Sequence, residues 1–425
     1  MTPSAVSPGQ WLLHEAQGAE GKAAREAYAK FCRYLDTLGL HSFRTARMKY
    51  FLQSNHYWTL PDGYALPPHT INVCVNNMCN LRCRYCDFGQ RHDETFYHQY
   101  NVVDRTKSIE LPLEVCKRIV DDSLWFRPII RASFREPLLY RDILPFIEYT
   151  KMRGLAFWLL TNGYNLSKFA HDLVALGIDS IRLSLDGPEQ VHNEVRGVKN
   201  AYAKMMEGVK TLIEEKKRKG IDTQVGFYFT LNDFNHGHIL ETVEQLEREG
   251  ILKDIFLNFQ WLLYTTKEMA EEHNRTDAGI CGGFIQESTV QTVDIYQMDL
   301  KDMSSQADEI RKRYPAAAGY RIHFRPSFEM EDLLRYRETV DFPVESPRCK
   351  VPWFNMNINP AGDVKTFHHC LLPVAGSVMD TPVMDVWNGD NLRDQRMKLK
   401  EHGAYRGCAR CWGVYSLLED RKRSD

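Results

Sequence analysis

Three cysteines lie close together in the stretch Cys79-Asn80-Leu81-Arg82-Cys83-Arg84-Tyr85-Cys86. The spacing, Cys-x3-Cys-x2-Cys, puts three thiols on one short loop after an apolar run at 70–75. In a [4Fe–4S] cube each iron commonly takes one thiolate, so three local thiolates leave one iron open. Zinc is the alternative, but it usually takes Cys-x2-Cys pairs and four closed ligands, and only His92 offers a fourth donor nearby. The spacing favours an iron–sulfur cluster with an open iron.

Short apolar runs alternate with amphipathic segments from residue 70 onward. The candidate strands are 70–75, 129–134, 156–161, 180–185, 223–230 and 254–261. The candidate helices between them are 112–123, 140–153, 166–176, 202–219 and 238–249. This alternation predicts parallel βα units and therefore an α/β fold. Six units form a partial, open (β/α)6 barrel, and ligands of such sheets bind at the carboxyl ends of the strands.

Polar motifs follow three of these strands. The second strand runs into Ser133-Phe134-Arg135-Glu136-Pro137, and the third ends in Thr161-Asn162-Gly163. The fourth reads Ser184-Leu185-Asp186-Gly187-Pro188 at its end, followed by His192, Arg196 and Gly197. Taken singly, each motif is an ordinary turn at a strand end. Together with the cysteines they indicate one ligand site at one edge of the sheet.

The cysteine spacing, the tyrosine before the last cysteine and these motifs together resemble the radical S-adenosylmethionine (SAM) superfamily. The resemblance covers roughly residues 70 to 261. It implies that the open iron chelates SAM, that an electron from the cluster cleaves the sulfonium bond, and that a 5′-deoxyadenosyl radical removes a substrate hydrogen. It also implies an external one-electron reductant of the flavodoxin or ferredoxin type.

The resemblance assigns cofactor contacts to residues at the strand ends. Arg196 is expected to pair with the SAM carboxylate through its planar fork, and Ser184 to face the ribose or carboxylate. One motif departs from the family, which usually has Gly-Gly-Glu-Pro where this chain has Phe134 and Arg135 before Glu136. Positive φ is easy for glycine and strained for these residues, so the local backbone is in question. The expected cofactor contacts are Tyr85, Glu136, Asn162, Ser184, Asp186 and Arg196.

A second set of cysteines lies near the end of the chain, at Cys349, Cys370, Cys408 and Cys411. With Gly362 and the Val386-Trp387-Asn388 stretch, it resembles the SPASM/twitch extensions of radical SAM enzymes, which hold auxiliary clusters. Four thiolates close one [4Fe–4S] cluster, and the three further cysteines that a second auxiliary cluster needs are absent, so a twitch-like unit is expected. The family usually has a cysteine where this chain has Phe367, which leaves Cys370 or a neighbouring histidine as the ligand. A structural zinc site is the alternative.

One further cysteine stands apart in the stretch Ala278-Gly279-Ile280-Cys281-Gly282-Gly283. As a catalytic residue it would donate hydrogen to a product radical, as in radical epimerases; it could also serve as a ligand. The simpler interpretation is a cysteine in a glycine-flanked surface loop. Cys32, Cys74 and Cys116 lie in apolar patterns and are expected in the core.

Composition narrows the class of protein. At 425 residues the chain is too long for one ordinary domain. We divide it into a helical region at 1–65, a radical SAM core at 66–265, a connecting, substrate-facing region at 266–344 and the cluster-binding unit at 345–425. The net charge of −2 disfavours a nucleic-acid partner, and no apolar run reaches the roughly 18 residues of a membrane span. Without a signal-peptide pattern, the eleven cysteines point to the cytoplasm, where thiols stay reduced.

Two substrate classes follow from this reading. The first is a small polar metabolite, such as a sugar or aminocyclitol alcohol, that is dehydrogenated while the auxiliary cluster accepts an electron. The second is a peptide or protein side chain, modified by a maturase. Peptide-modifying relatives often begin with a β-rich leader-binding domain, whereas residues 1–65 have a helical pattern, which favours the small molecule. A non-enzymatic electron carrier is disfavoured because three separate strand ends carry SAM motifs.

The two cysteine sets predict the metal content. Anaerobically reconstituted protein should bind about eight irons, four for each cube. Iron and zinc are measured on the same sample by inductively coupled plasma mass spectrometry. About four irons together with one zinc would refute the second cluster.

Overall fold

The computed structural model describes residues 61–87, 100–101, 103–104, 106–326, 328–345, 347–367 and 369–415. Most of the helical region expected at 1–65 lies outside these residues, as do Cys32, His92 and His368. Within them, residues Pro61–Gly63 form a single 3-10 turn, as the Pro-Asp-Gly sequence predicts. No helix in the described part combines the length and apolar character that crossing a membrane requires.

The strands form one ten-stranded sheet in the order β10-β9-β8-β1-β2-β3-β4-β5-β6-β7. Strands β1 to β7 pair in parallel with their neighbours, and β8 pairs in parallel with β1. Strands β9 and β10 continue the sheet as antiparallel partners. The strands are β1 (Thr70–Val73), β2 (Ile129–Ala132), β3 (Ala156–Thr161), β4 (Ser180–Leu185), β5 (Gln224–Leu231), β6 (Phe256–Trp261), β7 (Ile322–Arg325), β8 (Asn355–Ile358), β9 (Asp363–Lys365) and β10 (Gly376–Ser377).

Helices connect the parallel strands of the sheet. The first six are α1 (Leu113–Asp122), α2 (Ile143–Met152), α3 (Ala170–Ala175), α4 (Glu189–Arg196), α5 (Ala201–Lys219) and α6 (Ile239–Arg248). The remaining helices are α7 (Lys267–Thr276), α8 (Ala278–Cys281), α9 (Leu300–Arg313), α10 (Met330–Glu338), α11 (Val383–Trp387), α12 (Asp390–His402) and α13 (Trp412–Tyr415). The α/β fold with an open, partial barrel is thereby confirmed.

Alternation along the strands gives the sheet two different faces. In β3, for example, Phe157 and Leu159 are fully buried, while Trp158 and Leu160 between them are half-buried. Phe157 meets Phe146 of α2 edge to face, with ring centroids 5.2 Å apart. Helices therefore cover one face, and we call the opposite, half-buried face the inner face. Cys74 and Cys116 are buried, as expected from their apolar patterns.

The sheet extends beyond the six strands that the sequence predicts. Strand β7 comes from the region at 264–325 that the sequence pattern leaves unassigned, and β8 to β10 come from the cysteine-bearing C-terminal part. Pairing of β8 with β1 includes a buried side-chain bond, in which Asn72 Nδ2 donates to Asn355 Oδ1 at 2.8 Å. The C-terminal part is therefore built onto the edge of the core sheet. The division into four units stays a prediction.

A buried arginine fastens the start of the described chain to α12. Arg396 is completely buried, and its guanidinium donates to the carbonyls of Pro352, Trp387 and Gly63 at 2.8 to 3.1 Å. It also lies over the Trp387 ring, 4.4 Å from the centroid. One side chain thus satisfies three buried carbonyls from three segments.

Replacing this arginine should destabilise the fold. Arg396→Met leaves those carbonyls buried without donors, so the free energy of unfolding should fall by about 3 kcal/mol. Urea unfolding followed by circular dichroism measures the change. Lys398→Met on the same helix removes only an exposed pair with Asp394 and should cost about 0.5 kcal/mol or less. Equal losses in both variants would show that Arg396 is not the fastening residue.

Candidate active site

The first cysteine set, Cys79, Cys83 and Cys86, lines one cavity of about 170 Å³ at the carboxyl edge of the sheet. Asn162, Ser184 and Arg196 line the same cavity. The loop after β1, the end of β3 and the end of β4 therefore meet there, as the parallel pairing requires. Burial raises the pKa of the Cys83 thiol to about 12. Because metals bind thiolates, coordination at this site has to release protons.

A buried ion pair closes one side of the cavity. Arg196 Nε lies 2.5 Å from Asp186 Oδ2, and both side chains are almost completely buried. Arg196 Nη1 donates to Cys83 Sγ at 3.3 Å, and Nη2 donates to the Tyr85 hydroxyl at 3.4 Å. Tyr85 in turn donates to Asp186 Oδ1 at 3.0 Å. Burial alone would lower the pKa of Arg196, but Asp186, Tyr85 and Cys83 together outweigh burial, so the guanidinium stays charged.

These contacts modify the role expected for Arg196. All three guanidinium nitrogens contact protein atoms, yet each terminal nitrogen carries two N–H groups. One N–H on each terminal nitrogen is therefore left for a ligand in the cavity. His192 supports the pair from behind, because its Nδ1 accepts from the backbone N–H of Asp186 at 3.2 Å.

Glu136 lies behind the cavity wall and holds two strand ends together. Its carboxylate accepts from the Thr161 hydroxyl at 2.6 Å, the Asn162 backbone N–H at 2.8 Å and the Leu138 N–H at 3.0 Å. Burial raises the pKa of Glu136 despite these donors. Asn162 then donates from its side chain to Asn80 Oδ1 at 2.8 Å, which ties the end of β3 to the cysteine loop. Glu136 thus acts by positioning Asn162.

The turn after β2 keeps a backbone suited to glycine without having glycine. Phe134 has φ of 67° and Arg135 has φ of 51°, both in the left-handed region. Each such residue costs of order 1–2 kcal/mol. Both side chains line the cavity, and Arg135 Nε donates to the Asn77 carbonyl at 2.8 Å. The two-glycine geometry is therefore present, and the substitutions add side chains to the cavity wall.

Gly197 allows the cysteine loop to pack against the end of α4. Its φ is 71°, and a Cβ there would lie 3.1 Å from the Arg82 carbonyl oxygen. Two backbone bonds join the segments, from Arg82 N to Arg196 O at 3.4 Å and from Arg84 N to Val195 O at 2.9 Å. The Arg-Gly pair therefore has two functions, since the arginine reaches the cavity and the glycine admits the loop.

The second cysteine set, Cys349, Cys370, Cys408 and Cys411, is brought together by the fold. The pKa of the half-buried Cys408 thiol is raised well above its usual range by burial and then by the other three thiols, which indicates that all four lie near one another. A Cβ on Gly413 would lie 3.5 Å from Cys411 Sγ and 3.6 Å from Cys349 Sγ. Glycine thus leaves open the space between two sulfurs. The Thr366 hydroxyl donates to Cys370 Sγ at 3.3 Å.

Cys281 lies in the core beside the second set and does not line the cysteine cavity. Its sulfur is 3.5 Å from His273 Nε2, and the thiol interacts electrostatically with Cys370. His273 Nδ1 accepts from the backbone N–H of Gly407, one residue before Cys408, at 3.3 Å. Helices α7 and α8 therefore pack against the loop that carries the second cysteine set. The surface-loop interpretation of this cysteine is wrong.

Sequence reasoning missed several residues that connect these parts. Asn80 and Asn76 hold the cavity wall, and the asparagines after β1 were the available signal. Asp87 follows Cys86 and accepts from the Thr289 backbone N–H at 3.0 Å. Thr289 lies far along the chain, so nothing in the sequence marks this contact.

Two family models match the chain. One, described as the radical SAM superfamily, matches residues 73–246, and the other, described as an iron–sulfur cluster-binding domain of the SPASM type, matches residues 349–412. The chain belongs to the radical SAM superfamily and carries a SPASM/twitch-type C-terminal domain. The two domains accordingly imply three kinds of cofactor: SAM, a SAM-binding [4Fe–4S] cluster and auxiliary iron–sulfur clusters.

Relatives share parts of the chain at low identity. Fe-coproporphyrin III synthase of Methanosarcina barkeri is 29% identical over 223 residues, covering 50% of this chain and 51% of that protein. This chain thus spans about half the length of that relative. Pre-heme d1 synthase of Dinoroseobacter shibae is 21% identical over 369 residues, which cover 86% of this chain and 84% of that protein.

Solved structures share the fold. SuiB of Streptococcus suis bound to S-adenosylmethionine has a TM-score of 0.56 at 15% identity, covering 94% of this chain and 88% of that one. The enzyme anSMEcpe with bound AdoMet has a TM-score of 0.51 at 17% identity, and the match covers 79% of this chain and 80% of that one. At these identities the likeness shows the fold alone.

The donor sets fit iron–sulfur clusters. Three thiols share the first cavity, and four lie together in the second set. Among the described residues no three His, Cys, Asp or Glu side chains converge on one metal ion. A four-iron cube does not need such convergence, because each thiolate binds a different iron.

Breaking the buried ion pair should impair the site. Asp186→Asn leaves the Arg196 charge unpaired and frees Tyr85, so release of 5′-deoxyadenosine from SAM with dithionite should fall about 10-fold or more. Product is measured by liquid chromatography on samples matched for iron content. Glu194→Gln breaks only the exposed pair with Arg84 and should stay within about twofold. A wild-type rate in Asp186→Asn would contradict the positioning role.

Proposed function

We propose that Cys79, Cys83 and Cys86 hold the SAM-binding cluster and that the second cysteine set holds one auxiliary cluster. The observation that supports this most directly is the single cavity shared by three thiols, Asn162, Ser184 and Arg196. Cys370 is the fourth auxiliary ligand in this proposal, since it interacts with the other three thiols.

The chain's own residues bind and orient SAM in this cavity. The two spare N–H groups of Arg196 bind the SAM carboxylate, and the charge is fixed by Asp186. Ser184 presents its hydroxyl from the end of β4 to the ribose or carboxylate. Glu136 keeps Asn162 at the wall, and the backbone of the Phe134–Arg135 turn meets the amino group. The bound cluster supplies the electron that cleaves SAM.

The reaction we propose is the two-electron oxidation of a small polar metabolite, such as a sugar or aminocyclitol alcohol. SAM bound beside Cys79, Cys83 and Cys86 would supply the radical chemistry that removes one hydrogen atom from the substrate. A cluster held by the second cysteine set would supply the acceptor for one further electron, and the accompanying proton would go to a base or solvent. A flavodoxin or ferredoxin-like protein supplies the first electron. We place this oxidoreductase in the cytoplasm, where its many thiols stay reduced.

The names of the relatives support a small molecule. Sequence relatives include Fe-coproporphyrin III synthase, pre-heme d1 synthase and GTP 3′,8-cyclase, each of which is named for a small molecule. The alternative is a peptide, since SuiB is also known bound to its precursor peptide SuiA. That structure is 14% identical to this chain and shows the fold alone. A second alternative is an epimerase in which Cys281 donates hydrogen to a product radical. This role stays a prediction.

A fractionated extract of the native host tests both the site and the substrate class. Wild-type enzyme with SAM and dithionite should release more 5′-deoxyadenosine when the dialysable fraction is added, and protease treatment of that fraction should not remove the effect. Cys83→Ala should release none, because the cluster site is lost. Cys411→Ser should still cleave SAM but should not accumulate oxidised product. Liquid chromatography and mass spectrometry follow both products.

The controls separate the two claims. Cys116→Ala changes a buried thiol outside both sets and should behave as wild type in cleavage. Cleavage that persists in Cys83→Ala would refute the cluster assignment. Stimulation that protease abolishes would replace the metabolite with a peptide substrate.

A further inference from the structure

Two arginines lie on the inner face of the sheet. Arg131 of β2 is register-paired with Trp158 of β3, and the Arg182 guanidinium of β4 stacks over the Trp158 ring, 3.7 Å from its centroid. Arg182 Nη1 donates to the Tyr228 hydroxyl of β5 at 2.7 Å. We call these four residues the inner arginine site. It is built from four adjacent strands and is therefore rigid.

The positive charges of the inner arginine site have neutral partners. Arg131 Nε donates to Asn72 Oδ1, and Arg182 contacts the hydroxyls of Tyr228 and Ser180. In the described part of the chain no carboxylate pairs with either guanidinium. Burial lowers the pKa of Arg131 to about 10, and the charge of Arg182 acts in the same direction. Two positive charges held close together without an anion repel each other. An anion that binds between them would relieve this repulsion, so the arrangement favours anion binding.

A second observation comes from the neighbouring strand. Asn258 of β6 is register-paired with Tyr228 and lies on the same face. Only 5% of Asn258 is exposed, and its Oδ1 has no hydrogen-bond partner among the residues that the structure describes. Buried amide oxygens are rarely left without a donor. The inner face therefore presents an acceptor, Asn258 Oδ1, beside the guanidinium groups of Arg131 and Arg182. A polar ligand with a donor and an anionic group would match this arrangement.

The inner arginine site lies close to the cysteine cavity. Ser184 and Leu160 line that cavity, and Arg182 and Trp158 come two residues earlier on the same strands and the same face. Two residues of a strand span about 7 Å. A molecule anchored at the arginines would thus lie beside the cavity, on the side away from the helices.

We propose that Arg131 and Arg182 bind a carboxylate or phosphate group of the substrate, which makes the substrate an anion. This inference rests on the proposed function, since it places the substrate beside the SAM cavity. The planar guanidinium matches both groups through paired N–H donors, and the Trp158 ring fixes the plane of Arg182. Asn258 then accepts from a hydroxyl or amine elsewhere on the same molecule.

Calorimetric titration of the reconstituted holoenzyme tests the anion site. The two probes are inorganic pyrophosphate and tricarballylate, titrated at constant ionic strength, and tighter binding of one identifies phosphate or carboxylate as the anchor. Arg182→Met and Arg131→Met should each weaken binding roughly 10- to 100-fold, because each removes charged hydrogen bonds. Arg153→Met removes an exposed arginine of the outer surface and should change affinity less than about twofold.

Labelling of unmodified enzyme covers the case in which a variant misfolds. Phenylglyoxal should modify Arg131 and Arg182 more slowly when the probe is present, as read by peptide mass spectrometry, while Arg153 should react equally. Failure of both probes to bind wild type, or equal binding to Arg182→Met, overturns the anion site. Enzyme that binds a probe but never cleaves SAM refutes the proposed function instead, so the two failures are distinguishable.

Discussion

Parallel pairing is the constraint on which the rest of this structure depends. Because β1 to β7 run in the same direction, the segments that follow them all leave the sheet at one edge. The cysteine loop after β1, Asn162 after β3 and Asp186 after β4 are far apart in sequence, yet they surround one cavity. The composition of this cavity therefore depends on which residues follow each parallel strand at the carboxyl edge of the sheet.

Buried polar groups hold this edge together at some cost to stability. The Asp186–Arg196 pair and the Glu136 carboxylate are both removed from water, and hydrogen bonds from neighbouring strand ends compensate them. Strained backbone at Phe134 and Arg135 adds to that cost. Such groups persist where surrounding structure over-determines them, as is common at functional sites. The edge that carries the cysteine cavity thus combines buried charges with strained backbone.

The two cysteine sets are parts of one continuous framework. Strand β8 extends the core sheet next to β1, so the C-terminal part starts beside the strand that leads into the first cysteines. Helices α7 and α8 then contact the Cys408 loop through His273, while Thr289 just beyond them contacts Asp87. The segment from α7 to Thr289 therefore contacts both the Cys408 loop and the residue that follows Cys86. This segment therefore holds the two cysteine sets in a fixed relation to each other.

Local pattern was enough to predict much of this protein. Spacing of Cys79, Cys83 and Cys86 favoured an iron–sulfur cluster over zinc, and the alternation of apolar runs predicted β3 and β4 to the residue. These features are local because thiolate spacing and strand periodicity are set by neighbours in the chain. Asn162 was found for the same reason, since it follows β3 directly.

Tertiary structure alone decided what depends on distant partners. Strand β7, the pairing of β8 with β1 and the burial of Cys281 against His273 arise from contacts that no local pattern encodes. The charge balance at Arg131 and Arg182 is of the same kind, because an arginine in a strand looks alike in sequence whether a carboxylate or a tyrosine faces it. The sequence by itself determined which polar residues follow the strands, because these are set by neighbours in the chain, and the fold decided which charges lack a carboxylate partner, because that depends on distant residues.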